Sequence, residues 1–207
     1  ALCQAVGAVA AATGQRVPVL YTSSTQAAYA NPYGQSKRAA EDALFSLAAS
    51  HQVPVHVFRL PNVFGKWCKP NYNSAVATFC HNMARGLPIQ VNDPAAPLTL
   101  VYVDDVIARF IQLFDGADGA VDADGFATVA PQYTTTVGAV AEQIQAFADS
   151  RATLMTERVG TGLVRALYST YVSYLPVVRF AYPVQQHADP RGVFVEMLKT
   201  PDCGQFS

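Results

Sequence analysis

The stretch Val17-Pro18-Val19-Leu20-Tyr21-Thr22-Ser23-Ser24, followed closely by Asn31-Pro32-Tyr33-Gly34-Gln35-Ser36-Lys37-Arg38-Ala39-Ala40-Glu41, decides how the chain is read. Val17 to Thr22 is a short apolar run rich in β-formers, the pattern of a strand buried on both faces. Ser23 to Asn31 is polar and reads as a loop. Pro32 then opens a helix to about Ser50, with Ala40, Leu44, Leu47 and Ala48 on its inner face. Val53 to Leu60 is the next strand-like run, so the three segments form a β-α-β unit.

Working outward, residues 2 to 13 are Ala-rich and helical, ending at Thr13-Gly14. Downstream, Asn73 to Arg85 reads as a helix closed by Gly86. Pro88 to Val91 and Leu98 to Val101 read as short strands, and Asp104 to Phe114 as a helix. This alternation predicts an α/β fold with a parallel sheet and covering helices. Past Asp115-Gly116 the text changes. Phe126 to Val129 is a candidate strand, and Thr134-Thr135-Thr136 offers N-caps for a helix reaching about Ala148. Residues 159 to 175 form an aromatic amphipathic helix whose stripe of Leu163, Leu167, Tyr171 and Tyr174 suits core or domain packing. From Tyr182 to Ser207 the Pro, Gly and Asp spacing suggests a linker and the first strands of a β module.

Composition bounds the function. The chain has 207 residues, 51% hydrophobic and 14% charged, with net charge −1. That suits a well-buried globule and gives no basic excess for nucleic acid. No apolar run reaches the roughly 18 residues of a membrane span. Residues 1 to 12 lack the basic flank of a signal peptide. Cys3, Cys68, Cys80 and Cys203 form no CxxC pair, which points to free thiols in a reducing cytosol. Both ends are abrupt and read as cuts in a longer chain.

Tyr33 and Lys37 are four residues apart on one helix face, so both can reach one bound molecule. An ammonium beside a phenol favours the phenolate and makes the phenol a poised proton donor. Ser23 and Ser24 follow the first strand, where parallel sheets bind ligands; read alone, they also fit a plain polar strand exit. Arg59-Leu60-Pro61-Asn62-Val63-Phe64-Gly65 ends the next strand, with Pro61 and Gly65 bracketing a tight loop that presents Asn62. In Tyr102-Val103-Asp104-Asp105 the carboxylates suit the cap and first turn of a helix.

In this order, Ser, Tyr-x-x-x-Lys, R-x-P-N-x-x-G and V-D-D, the chain resembles the extended short-chain dehydrogenase/reductases, which act mostly on nucleotide sugars. The resemblance implies an incomplete Rossmann-like, doubly wound parallel sheet with a small substrate-binding subdomain. Tyr33 would be the general acid, Lys37 would grip the nicotinamide ribose, and Ser24 would orient the substrate carbonyl. Pro61 and Val63 would lie near the nicotinamide, Asn62 would reach the sugar, and Asn73 and Ser74 would hold the diphosphate. Thr25-Gln26 stands where dehydrating relatives carry an Asp-Glu pair. Thr25 can therefore contact substrate but not act as a carboxylate, and 4,6-dehydration is disfavoured. Leu98 replaces an Arg that many relatives direct at the diphosphate, which leaves Lys66 or Lys69 to supply that charge.

The run Phe64 to Ser74, with Tyr168-Ser169-Thr170-Tyr171, Asp189-Pro190-Arg191-Gly192 and Lys199-Thr200-Pro201-Asp202, is similar to the CapF-type capsular-polysaccharide enzymes. These join a reductase domain to a carboxyl-terminal cupin. The similarity implies that residues 1–181 are the later part of the dinucleotide-binding domain, and that 182–207 are linker and first cupin strands. It further implies NADPH-dependent reduction of the C4 ketone of a UDP-4-keto-6-deoxy-N-acetylhexosamine, for N-acetyl-L-fucosamine synthesis, in a cytoplasmic homodimer. C3 epimerisation, and zinc, would belong to a cupin beyond Ser207. No G-x-x-G-x-x-G turn occurs here, so the dinucleotide phosphate cradle would precede Ala1. His51, His56, His81 and His187 have no metal-ligand spacing. The chain is thus expected to be an internal fragment, inactive alone. Two other readings stay open: a nucleotide-sugar 4-epimerase holding NAD, and a non-catalytic scaffold or oligomerisation module using the helix around Tyr168 to Tyr174.

Overall fold

The computed structural model describes residues 1–201 and 204–207. In chain order the elements begin with α1 (Leu2–Thr13), β1 (Val19–Ser24), α2 (Pro32–His51), β2 (Val55–Leu60) and β3 (Asn62–Phe64). They continue with α3 (Ala75–Met83), β4 (Pro97–Tyr102), α4 (Val103–Phe114), β5 (Gln132–Thr136), α5 (Val137–Thr153) and α6 (Gly162–Tyr174). Four short strands close the chain: β6 (Gln186–Asp189), β7 (Gly192–Val195), β8 (Leu198–Thr200) and β9 (Gly204–Phe206). The architecture is α/β with parallel pairing, as the alternating pattern predicted. Among the described residues no helix is long and apolar enough to cross a membrane.

The chain divides into two compact units. The first comprises Ala1–Pro61 and Asp104–Gln132, the second Asn62–Val103 and Tyr133–Ser207. In the first unit β1 and β2 pair in parallel, with Ser23 opposite Arg59 and Ser24 opposite Leu60, and α2 makes the crossover. Its core is Ala10, Leu44, Leu47, Val53, Val57 and Phe126, so α1, α2 and β2 share one apolar centre. Each fully buried Leu or Phe contributes about 1.5–3 kcal/mol to that centre.

The second unit is built on a three-stranded sheet ordered β3-β4-β5, with β3 and β4 parallel. Phe64, Phe79, Leu100, Tyr102, Ile144, Phe147, Leu167 and Tyr171 form its core. The aromatic stripe of α6 is therefore interior: Leu167 and Tyr171 are buried, and Leu163, Tyr168 and Tyr174 pack against them. The residues proposed as an oligomerisation surface are occupied by the unit's own core. β6 pairs with β7, and β8 with β9, both antiparallel. Asp202 and Cys203, which belong to a motif and to the thiol inventory read above, lie outside the described residues.

Several expected boundaries move, for physical reasons. β1 starts at Val19 rather than Val17, because Pro18 has no N–H and Val19 N makes the first bond, to Pro54 O at 2.8 Å. Ser23 and Ser24 are consequently the last residues of the strand and not a loop after it. The expected tight loop at Asn62 is instead β3, paired to β4 through Leu100 to Tyr102. Pro88 to Val91 makes no strand; an apolar run without a partner ladder stays irregular. The helix expected over 73–85 is confined to Ala75–Met83, because the Ser74 hydroxyl accepts from Ala77 N at 3.3 Å and caps it there. Phe126 to Val129 contributes one bridge, Val121 to Ala127, and a bond from Ala127 N to Val57 O at 2.8 Å. Gln132–Thr136 is a strand before Thr136 caps α5.

Candidate active site

The three side chains assigned to proton transfer, Ser24, Tyr33 and Lys37, hang from β1 or α2. Ser24 ends β1, and its hydroxyl oxygen accepts from Gln26 N at 3.1 Å, capping the short 3₁₀ turn Thr25–Ala28. Accepting through a lone pair leaves the Ser24 O–H free to donate. Tyr33 stands in the first turn of α2, which Asn31 caps by accepting from Gly34 N at 2.8 Å. Tyr33 is 55% exposed, which leaves it accessible. Lys37, one turn on, donates from Nζ to Thr22 O at 3.0 Å. The same Nζ lies 5.8 Å from the centre of the Tyr33 ring and 5.2 Å from that of Tyr21. The helical pair is thereby tied to the strand that carries Ser24. Lys37 has three N–H donors and spends one on Thr22, so two remain for hydroxyls of a bound molecule.

Sequence reasoning passed over what holds this geometry. Gly34 lies so close to the preceding turn that a Cβ there would collide with the backbone oxygens of Gln26 and Tyr29. Arg38 clamps the same turn, donating from Nε and Nη2 to Ala27 O. Below them Glu41 is almost wholly buried and accepts from Ser23 Oγ and, as a fork, from Arg59 Nε at 3.1 Å and Nη2 at 2.7 Å. The Arg59 guanidinium also stacks over the Phe126 ring, 3.8 Å from its centre. Burial alone pushes the Glu41 carboxyl up. The hydrogen bonds from Arg59 and Ser23, with the charges of Arg59 and Arg38, outweigh it and hold Glu41 below the ordinary carboxylate value. Arg59 is raised in turn, first by its hydrogen bond to Glu41. One signal was available: Glu41 is the acid at i+4 from Lys37, on a helix face otherwise given to Leu44 and Leu47.

Of the residues assigned by resemblance, Ser24, Thr25, Tyr33, Lys37 and Pro61 belong to the first unit. Asn62, Val63, Lys66, Lys69, Asn73 and Ser74 belong to the second. Asn62 sits in β3 and donates its amide to Thr99 O at 3.2 Å, so part of its hydrogen-bonding capacity is already used. Val63 is exposed beside it. Lys66 lies over the Trp67 ring at 5.6 Å, and Lys69 over Tyr72 at 5.7 Å. The loop between them is held from α6 by the Tyr174 hydroxyl, which donates to Cys68 O. Burial, with smaller effects from Cys68 and Cys80, pushes Tyr174 up to about 12, so it stays a neutral donor. Asn73 precedes the Ser74 cap of α3, whose first-turn N–H groups suit an anion. Asp104 and Asp105 occupy the first turn of α4, as their position after Val103 predicted.

In chemical terms the first unit offers an exposed phenol, an ammonium with spare donors and a hydroxyl at a strand's carboxyl end. That set can hold vicinal hydroxyls and deliver a proton to an oxygen. It supplies no glycine-rich turn for a dinucleotide's phosphates. Among the described residues no His, Cys, Asp or Glu cluster could hold a metal. His56 packs at Gly119, where burial and then Arg109 lower its pKa, and His51 packs against Gly7.

The sequence pattern of the NAD dependent epimerase/dehydratase family matches residues 4–124. The chain belongs to this family. UDP-2-acetamido-2,6-beta-L-arabino-hexul-4-ose reductase from Pseudomonas aeruginosa PA103 is 56% identical over 208 residues, covering 100% of this chain and 54% of that protein. The crystal structure of the capsular polysaccharide assembling protein CapF from Staphylococcus aureus superposes with a TM-score of 0.89 at 40% identity, over 98% of this chain and 56% of that one. The chain therefore spans about half the length of each. UDP-glucose 4-epimerase from Thermotoga maritima shares the fold, with a TM-score of 0.64 at 18% identity over 83% of this chain.

Proposed function

We infer that this chain carries the proton-donating half of a nucleotide-sugar ketoreductase. In the longer polypeptide it would act on the C4 ketone of a UDP-4-keto-6-deoxy-N-acetylhexosamine. The observation that carries the reading is Lys37, which anchors the exposed Tyr33 helix to the strand ending in Ser24. The likeness to a hexulose reductase at 56% identity supports the substrate class.

In this reading Ser24 donates to the C4 oxygen and Tyr33 delivers its phenolic proton as that oxygen gains charge. Lys37 stabilises the phenolate left behind and offers its two remaining donors to a ribose. Pro61 and Val63 wall the ring, Thr25 and Asn62 contact the sugar, and Lys66, Lys69, Asn73 and Ser74 hold the diphosphate. NADPH, when bound, supplies the reducing hydride. Its phosphates need a cradle these residues do not provide, so the 207-residue polypeptide alone binds NADPH weakly and does not turn over. The antiparallel pairs β6-β7 and β8-β9 suit the opening strands of a cupin, which would hold zinc and epimerise C3. A cytoplasmic homodimer completes the reading.

The test is NADPH oxidation by the full-length protein against the keto sugar, with the product's C4 configuration read by NMR. Stoichiometric NADPH loss is expected. Interconversion of C4 epimers without net NADPH loss would instead make it an epimerase.

A further inference from the structure

Glu41, Ser23 and Arg59 form a charged three-way junction, buried at Glu41 and Ser23, that no step above uses. Glu41 is 1% exposed, yet all its hydrogen bonds go to residues adjoining the site. Ser23 is the residue before Ser24, and Arg59 stands opposite Ser23 in the β1-β2 register, two residues before Pro61. Glu41 itself is one helical turn beyond Lys37 and two beyond Tyr33, on their face of α2. Lys37 makes the second tie of α2 to β1, at Thr22. A well-packed apolar trio would stabilise this spot as well or better, since desolvation offsets most of a buried ion pair's attraction. A directional junction does what apolar packing does not: it fixes the sliding and rotation of α2 along β1.

We propose that Glu41, Ser23 and Arg59 are positioning residues, a junction that sets the register of Tyr33 and Lys37 against Ser24 for proton delivery. The inference rests on the reductase reading and adds residues to it that touch neither substrate nor cofactor. A helix displaced by about an ångström misaligns the phenol and the hydroxyl about the reacting oxygen, which costs on the order of a hundredfold in rate. Most contacts assigned to the nucleotide sugar are made by residues outside this junction, so its ground-state binding should change little. The signature is thus a lowered kcat with KM for the sugar little changed.

The experiment compares full-length wild type with Ser23→Ala, Glu41→Gln and the double variant Glu41→Leu/Arg59→Met, measuring kcat, KM and thermal midpoint. Removing both charges avoids leaving one buried alone, so the double variant is expected to melt within a few degrees of wild type. Its kcat should nevertheless fall at least about tenfold, with KM within about twofold. Ser23→Ala, which leaves the ion pair whole, should lose kcat in the same sense. Should the double variant fail to fold, Ser23→Ala decides alone. Wild-type kcat in a folded Ser23→Ala protein, or in a folded double variant, overturns the proposal. A parallel Tyr33→Phe protein separates the two readings. If it is inactive while these variants are normal, only the junction's role is lost; if it is fully active, the reductase assignment itself fails.

Discussion

Lys37 Nζ donates to the Thr22 carbonyl at 3.0 Å, so the ammonium is fixed by the strand and not by the helix that bears it. This bond holds the charge beside the Tyr33 ring and uses one of its three donors. Lys37→Met keeps the length of the stem but removes charge and donors. Its expected effect in the full-length enzyme is a loss of kcat/KM of about 10²–10⁴. Steady-state kinetics check it, and a loss under tenfold would detach Lys37 from the chemistry.

Gly34 is predicted to tolerate no side chain. A Cβ would meet the backbone oxygens of Gln26 and Tyr29, which cannot swing aside as a side chain can. Gly34→Ala should destabilise by about 1–3 kcal/mol, seen as a melting point lower by roughly 2–12 °C. An unchanged melting curve would mean that the turn and α2 are not packed as described.

Stability should fall in acid through Glu41. Its folded-state value is depressed below the ordinary 4.5. The stabilisation is therefore complete above the ordinary value and is lost as pH drops through the folded one. Glu41→Gln removes this pH dependence. It costs about 3 kcal/mol at neutral pH, the low end for a broken buried pair, because the partner Arg59 keeps 26% of its side chain accessible. Chemical denaturation across the acid range would show it, the gap between the wild-type and Gln curves narrowing as pH falls below the ordinary carboxylate value.

Much of this was legible beforehand. β1-α2-β2 was readable because buried runs and helical periodicity alternate cleanly, and Tyr33/Lys37 because a four-residue spacing is a local property. The long-range part was not. Glu41 and Arg59 are separated by 18 residues, and nothing in either segment names the other. Gln132–Thr136 is a polar strand whose threonines serve equally well as caps, and one of them, Thr136, does both. Pro88 to Val91 looked like a strand because propensity reads composition, whereas a strand needs a neighbour. A substrate-binding subdomain was expected from the resemblance, but not where the chain leaves the first unit, at Pro61, and re-enters it, at Asp104.

Thiol reactivity gives a further check. Cys80 is fully buried, and desolvation pushes its thiol far up, so it stays protonated and unreactive. Iodoacetamide should label Cys3 and Cys68, both partly accessible, while sparing Cys80 until the protein unfolds. Peptide mass mapping with and without denaturant decides this, and native labelling of Cys80 would contradict the packing of the second unit.

Tyr174→Phe tests the loop that carries Lys66 and Lys69. Losing the hydroxyl's bond to Cys68 O should cost about 1 kcal/mol of stability. If the lysines hold a diphosphate, the KM for the nucleotide sugar rises several-fold while kcat is kept. A normal KM would leave the loop without a part in binding.

The most direct measurement of the central claim is Tyr33→Phe in the full-length protein, with NADPH oxidation and product stereochemistry followed against the UDP-4-keto-6-deoxy sugar. The account predicts that C4 reduction is lost and that exchange at C3 continues. Undiminished reduction of the ketone by Tyr33→Phe would contradict it.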